Sequence, residues 1–172
     1  MTTLREKYPL EQRKPLKKTL GSIFLSFFIY FVLGVVIWSF VEGKIAEEFS
    51  EAPRFNFWTI FYIFLGIFIL LIILKYIYEV FYLKYYFYDL VGKNLIIKKG
   101  VFSRNEITLP VNRLQDVYVD QDILDRIFRL YDVHVSSATA ISGNLSHIDG
   151  LNKKNSEAIK KLILSGIHKE ND

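Results

Sequence analysis

The chain has no cysteine, so disulfides and thiolate metal sites are excluded. Histidine is scarce as well: His134, His147 and His168 fall in unrelated parts of the sequence and form no H-x-x-x-H pair. No Ser-centred elbow and no phosphate-cradling glycine loop occurs. The acidic residues Asp116, Asp120, Asp122 and Asp125 lack the central Gly and terminal Glu of a calcium loop. No catalytic residues, no metal site and no cofactor are therefore expected, and the chain reads as a non-enzyme. A further absence is positional. Residues 20–41 and 57–74 contain no Asp, Glu, Lys, Arg or His. An ionisable side chain inside a span is the usual mark of a transport path or proton relay, so transport is disfavoured.

What those two stretches do contain is apolar and aromatic. At about 1.5 Å of rise per residue, residues 57–74 form a helix of roughly 27 Å, close to the hydrocarbon thickness of a bilayer. With 172 residues, the chain is too short to enclose two such helices in a soluble core, so both are read as membrane spans. Residues 20–41 are longer than a signal h-region and are followed by no small-residue cleavage site. Arg13, Lys14, Lys17 and Lys18 precede the first span, and Glu42, Glu47, Glu48 and Glu51 dominate the segment after it. The positive-inside rule then places both termini in the cytoplasm of a multi-pass plasma-membrane protein, with Trp38 and Trp58 at the outer interface. Gly34 and Gly66 offer points of close helix approach.

The expected organisation is a basic cytoplasmic tail (1–19), a first transmembrane helix (20–41) and a short external loop (42–56). A second transmembrane helix with an aromatic, lysine-bearing interfacial extension (57–83) follows, then a soluble domain (84–166) and a tail (167–172). An aromatic and lysine mix also suits single-stranded nucleic acid, but directly behind a span it reads as an interfacial anchor, and no nucleic acid is expected.

From residue 84 the hydrophobic period changes to alternation. Strands are predicted over 85–90, 95–102 with a break at Gly100, 106–111, 116–120, 131–137 and 145–148. Pro110 cannot donate to a ladder, so its strand is an edge or stops there. Residues 122–130 have Ile123, Leu124, Ile127 and Phe128 at helical spacing, which predicts a short amphipathic turn. A last helix, begun by Asn155 or Ser156 and closed by Gly166, buries Ala158, Ile159, Leu162 and Ile163. Hairpins followed by one amphipathic helix make an α+β domain.

Several stretches resemble the bacterial and archaeal membrane-flanked proteins with a pleckstrin-homology-like (PH-like) domain, of the YdbS/YdbT type. They are Leu95-Ile96-Ile97 leading to Lys99-Gly100-Val101-Phe102, Ile107 with Pro110-Val111, and Arg113-Leu114-Gln115-Asp116-Val117. Gln121, Arg126-Ile127-Phe128 and Val133-His134-Val135 continue the pattern. Such proteins often carry Gly where Arg129 stands, and Ala-Gly where this chain has Ser137-Ala138-Thr139. The resemblance covers essentially the whole chain. It implies a transmembrane helical hairpin followed by a PH-like split β-barrel with a C-terminal helix, and it implies no reaction or ligand.

Two groups of side chains are candidates for function. Lys93, Lys98, Lys99 and Arg104 surround the first two turns, where they either bind an anionic lipid headgroup or simply guard an exposed hairpin edge with charge. Arg113, Gln115, Asp116 and Arg126 form either a partner surface or a structural corner in which the arginines pair with Asp116, Asp122 or Asp125. Because the spans already supply localisation, the leading expectation is an interaction or scaffold domain for a protein partner or a second copy of the chain. Headgroup recognition is the alternative.

Overall fold

The computed structural model describes residues 2–48, 57–137 and 146–168. The chain divides into two units, one formed by residues 18–77 and the other by 1–17 together with 78–172.

The described residues of the first unit are helical, drawn from α2 (Lys14–Glu48) and α3 (Phe57–Tyr85), since α1 is a single turn further upstream (Leu4–Lys7). Both helices are long and apolar enough to cross a membrane, and their apolar side chains point outward, Phe28, Phe40 and Leu70 among them. Such exposure would be untenable in water. The helices meet through rings, with Phe68 lying 5.9 Å from Phe27 and 5.7 Å from Tyr30. Gly34 faces Phe64, whereas nothing approaches within 4 Å of a Cβ built on Gly66, so only the first glycine is at the contact. Ser22 and Ser39 hydroxyls donate back to the carbonyls of Thr19 and Val35, which satisfies them within their own helix. α2 continues to Glu48, further than the predicted span, and the remainder of the expected external loop lies outside the described residues.

The second unit holds two three-stranded antiparallel sheets and a closing helix. β1 (Phe87–Val91), β2 (Asn94–Lys99) and β3 (Asn105–Pro110) form one sheet in that order. Gly92, at φ 60°, supplies the left-handed turn residue between β1 and β2. Gly100, at φ 113°, ends β2: a Cβ there would lie 1.8 Å from the Ser103 carbonyl oxygen, so only glycine allows the chain to fold back so tightly. β3 is an edge strand and Pro110 is its last residue, as a proline without an N–H requires.

After one 3-10 turn, β4 (Leu114–Asp120), β5 (Tyr131–Ser137) and β6 (His147–Leu151) form the other sheet. α4 (Ile123–Phe128) links β4 to β5, held by a reciprocal capping box between Asp122 and Asp125. It ends on Arg129 in the left-handed conformation, φ 56°. α5 (Lys153–His168) starts earlier than predicted, because Asn152 Oδ1 accepts from the Asn155 N–H at 2.8 Å and caps the helix. Gly166 does not end it. It lies inside α5, and a Cβ there would meet Val111 Cγ1 at 3.0 Å, so its role is close packing.

The core between the two sheets is made by Leu95, Ile97, Leu109, Val133, Val135 and Ile148, sealed by Ile159 and Ile163 of α5. Each fully buried Ile contributes about 1.5–3 kcal/mol. The short turn α4 departs from its predicted amphipathicity. Leu124 and Phe128 are half-buried, but Ile123 and Ile127, four residues apart, face solvent together.

Candidate functional site

The N-terminal residues are part of this domain. A capping box of Thr3 and Glu6 starts α1, and Leu4 and Leu10 enter the core. The Leu4 N–H donates to Asp89 Oδ1 at 2.8 Å, and the Tyr88 hydroxyl donates to the Tyr8 carbonyl. The Glu11 N–H donates to the Gly150 carbonyl at 2.8 Å, while Asn152 Nδ2 donates to Glu11 Oε1 at 2.9 Å. This strap places the first turn of α2 across the sheet β4–β5–β6, where its two lysines are buried. Lys14 Nζ lies 2.9 Å from Asp149 Oδ1, with the side chains 2% and 6% exposed, and 4.1 Å from the Tyr86 ring centroid. Lys17 Nζ bridges Asp125 Oδ1 at 2.6 Å and Asp122 Oδ2 at 3.1 Å. The lysine stem crosses directly over Gly150, at φ 84°, where a Cβ would fall 2.6 Å from Lys14 Cδ. Half of the basic cluster before the first span is thus committed to buried pairing.

The candidate headgroup residues do not converge. Lys93 is exposed in the β1–β2 turn, at the opposite end of β2 from Lys98 and Lys99. Lys98 faces outward and pairs with Glu106 at 3.0 Å, while Lys99, its neighbour in the strand, points the other way and is buried with Nζ 5.3 Å from the Tyr86 ring. Arg104, in the β2–β3 loop, lies over the Tyr85 ring at 5.6 Å. Lys99, Gly100, Phe102, Ser103 and Asn105 do line one cavity of about 330 Å³ together with Tyr78 and Tyr82. Phe102 stacks on Tyr78 at 6.1 Å.

The second set divides likewise. Arg113, Gln115 and Asp116 are exposed at the start of β4, and Arg126 is exposed on α4 beyond the other end of that strand. The expected arginine corner is replaced by a lysine one. Asp122 and Asp125 pair with Lys17 from a distant part of the chain, and Asp116 accepts from the Ser136 hydroxyl at 3.4 Å. Burial raises the Asp122 carboxyl, but the Asp125 backbone N–H and Lys17 outweigh it and hold the group below its ordinary value.

The outer face of the sheet carries a feature that spacing alone concealed. His134 and His147, expected to be unrelated, are register partners on β5 and β6. Their rings stack at 5.3 Å, and Tyr118 of β4 stacks on the other side of His134 at 5.0 Å. The result is an aromatic ladder across all three strands. His134 Nε2 lies 3.1 Å from Asp120 Oδ1, and Asp132 Oδ1 accepts from the Gly150 N–H at 2.7 Å. Asp120, Asp132 and His134 bring ligand atoms within 4.8 Å of one another, a spacing that a divalent cation can bridge. Burial, then the neighbouring Asp149 carboxylate, push the Asp132 carboxyl up to about 6. His134 alternates with the buried Val133 and Val135 and so faces outward. The pairing of His134 with His147 depends on the register between β5 and β6, which no local pattern specifies.

Two apolar helices, two small antiparallel sheets and a closing helix define a membrane-associated α+β domain of PH-like form. The chain belongs to the bacterial PH domain family, whose model matches residues 16–167. No curated protein matches the chain, and no solved structure does.

Proposed function

We propose that the chain is a non-enzymatic interaction domain of the split-barrel PH type, held at the cytoplasmic face of the cell membrane by its helical hairpin, that binds a protein partner. The observation that carries this reading is the ladder Tyr118–His134–His147, pre-stacked on the outer face of β4–β5–β6 with Tyr118 about half exposed. Rigid aromatic side chains with polar tips lose little entropy on binding and serve as interface anchors. Asp116 and Asp120 flank the ladder as acceptors and suit a partner offering basic or hydrogen-bond-donating groups. Gln115 and Arg113 extend the same end of β4.

A photo-crosslinking residue at position 118 of the full chain, in native membranes, tests this reading. A discrete protein adduct at 118, absent from probes at Arg104 and Arg126, is expected. Lipid adducts alone at 118 would sink it. Protease added outside intact cells is expected to leave the domain uncut.

A further inference from the structure

Three of the most exposed large apolar side chains of the domain are Phe102 at 92%, Ile123 at 80% and Ile127 at 67%. Each sits beside a point where the chain joins an apolar helix. Phe102 stacks on Tyr78 of α3 at 6.1 Å. α4, which carries both isoleucines, begins at Asp122, and Asp122 and Asp125 are tied to Lys17 of α2 at 3.1 and 2.6 Å. Along α2 and α3 themselves, helical rise sets how far Lys17 and Tyr78 lie from the apolar runs. Lys17 precedes Leu20, the start of the first apolar run, by about 4.5 Å of helix, and Tyr78 follows Leu74, the end of the second, by about 6 Å. The polar headgroup layer on each side of a bilayer is about 5–8 Å thick. Both attachment points therefore fall within it.

We infer that this edge of the domain docks on the bilayer that its own spans cross, with Phe102, Ile123 and Ile127 entering the interface and Arg104 and Arg126 meeting anionic lipid phosphates. The inference rests on reading α2 and α3 as spans, and it is independent of the partner face. Arg126 shares the exposed side of α4 with the two isoleucines, and Arg104 leaves the same loop as Phe102, over Tyr85. Each apolar side chain thus has a guanidinium beside it, the pairing that interfacial binding uses. α4 is rigid enough to present its pair: the capping box fixes its start, and Gln121 Nε2 donates to the Leu130 carbonyl at 2.9 Å. The lysines first expected to read headgroups play no part, since Lys93 is remote and Lys98 is paired with Glu106.

Because the chain lacks cysteine, single-Cys variants label uniquely. Spin labels at F102C, I123C, I127C, at K93C as the aqueous control and at I69C as the hydrocarbon control are introduced into the full chain. The protein is reconstituted in phosphatidylcholine vesicles containing phosphatidylglycerol, and collision with oxygen and with a water-soluble nickel chelate is compared. Labels at 102, 123 and 127 are expected to give interfacial depths, several-fold less accessible to nickel than 93. Adding R104E/R126E is expected to return them toward the value at 93. Nickel access at 102, 123 and 127 equal to that at 93 overturns the inference. So does protection that follows protein density rather than anionic lipid, which would reveal contact with a second copy. A water-exposed label at 69 would instead refute the span reading itself.

Discussion

Replacing Lys14 by methionine tests how the strap holds the domain. Methionine keeps most of the aliphatic stem over Gly150 but removes the ammonium, leaving the Asp149 carboxylate 6% exposed and without its 2.9 Å partner. Removing one member of a buried pair costs about 3–5 kcal/mol, because the remaining charge stays desolvated. The cation–π contact with Tyr86, at 4.1 Å, accounts for about 1–2 kcal/mol of that when it is desolvated. The double variant K14M/D149N removes the orphaned charge as well, so it is expected to retain only the cation–π loss. The double variant should therefore be about 2–3 kcal/mol more stable than K14M alone. Thermal unfolding of the full chain in detergent, followed by near-UV circular dichroism of the tyrosines, reads this directly. A fall in Tm of more than about 10 °C is expected for K14M, with at least half recovered in the double variant. A K14M loss below about 1 kcal/mol, or additive single effects, would refute the buried-pair reasoning.

Two further substitutions probe the fold. Asp132 is raised from 3.8 to about 6 by burial and Asp149. Between those values the folded chain holds a proton that the unfolded chain has released, so stability falls as pH rises through that window, and the full cost remains above it. D132N keeps an oxygen for the Gly150 N–H while removing the charge. It is expected to add about 1–3 kcal/mol at pH 7.5 and to flatten the stability profile between pH 4 and 6; an unchanged profile would assign the pH dependence elsewhere. Arg129 adopts φ 56°, which costs a side-chain-bearing residue about 1–2 kcal/mol. R129G should therefore stabilise the domain, by about 1 kcal/mol once the entropy of glycine is deducted, as a higher midpoint in urea. A lower midpoint would mean that the Arg129 side chain contributes more than its backbone costs.

The sequence by itself determined the elements that follow from local chemistry. The uncharged runs read as membrane helices because no small soluble core accommodates them, and both are helical with outward apolar side chains. Alternation located the strands, Gly100 the break after β2, and Pro110 the edge, since each depends on a residue and its immediate neighbours. The family pattern likewise lay in short contiguous motifs. Tertiary structure alone decided which side chains meet. The basic residues before the first span look like free surface charge, and only the strap's course over Gly150 buries Lys14 against Asp149 and brings Lys17 to α4. Ile123 and Ile127 fit a core-facing period, but Leu124, Asp125 and Phe128 occupy the inward side of so short a helix. His147 joins His134 through a cross-strand register that local spacing does not encode. Local propensity acts over a few residues, whereas pairing of charges and rings across the chain is set by the packing of the core, and the candidate surfaces of this protein belong to the second kind.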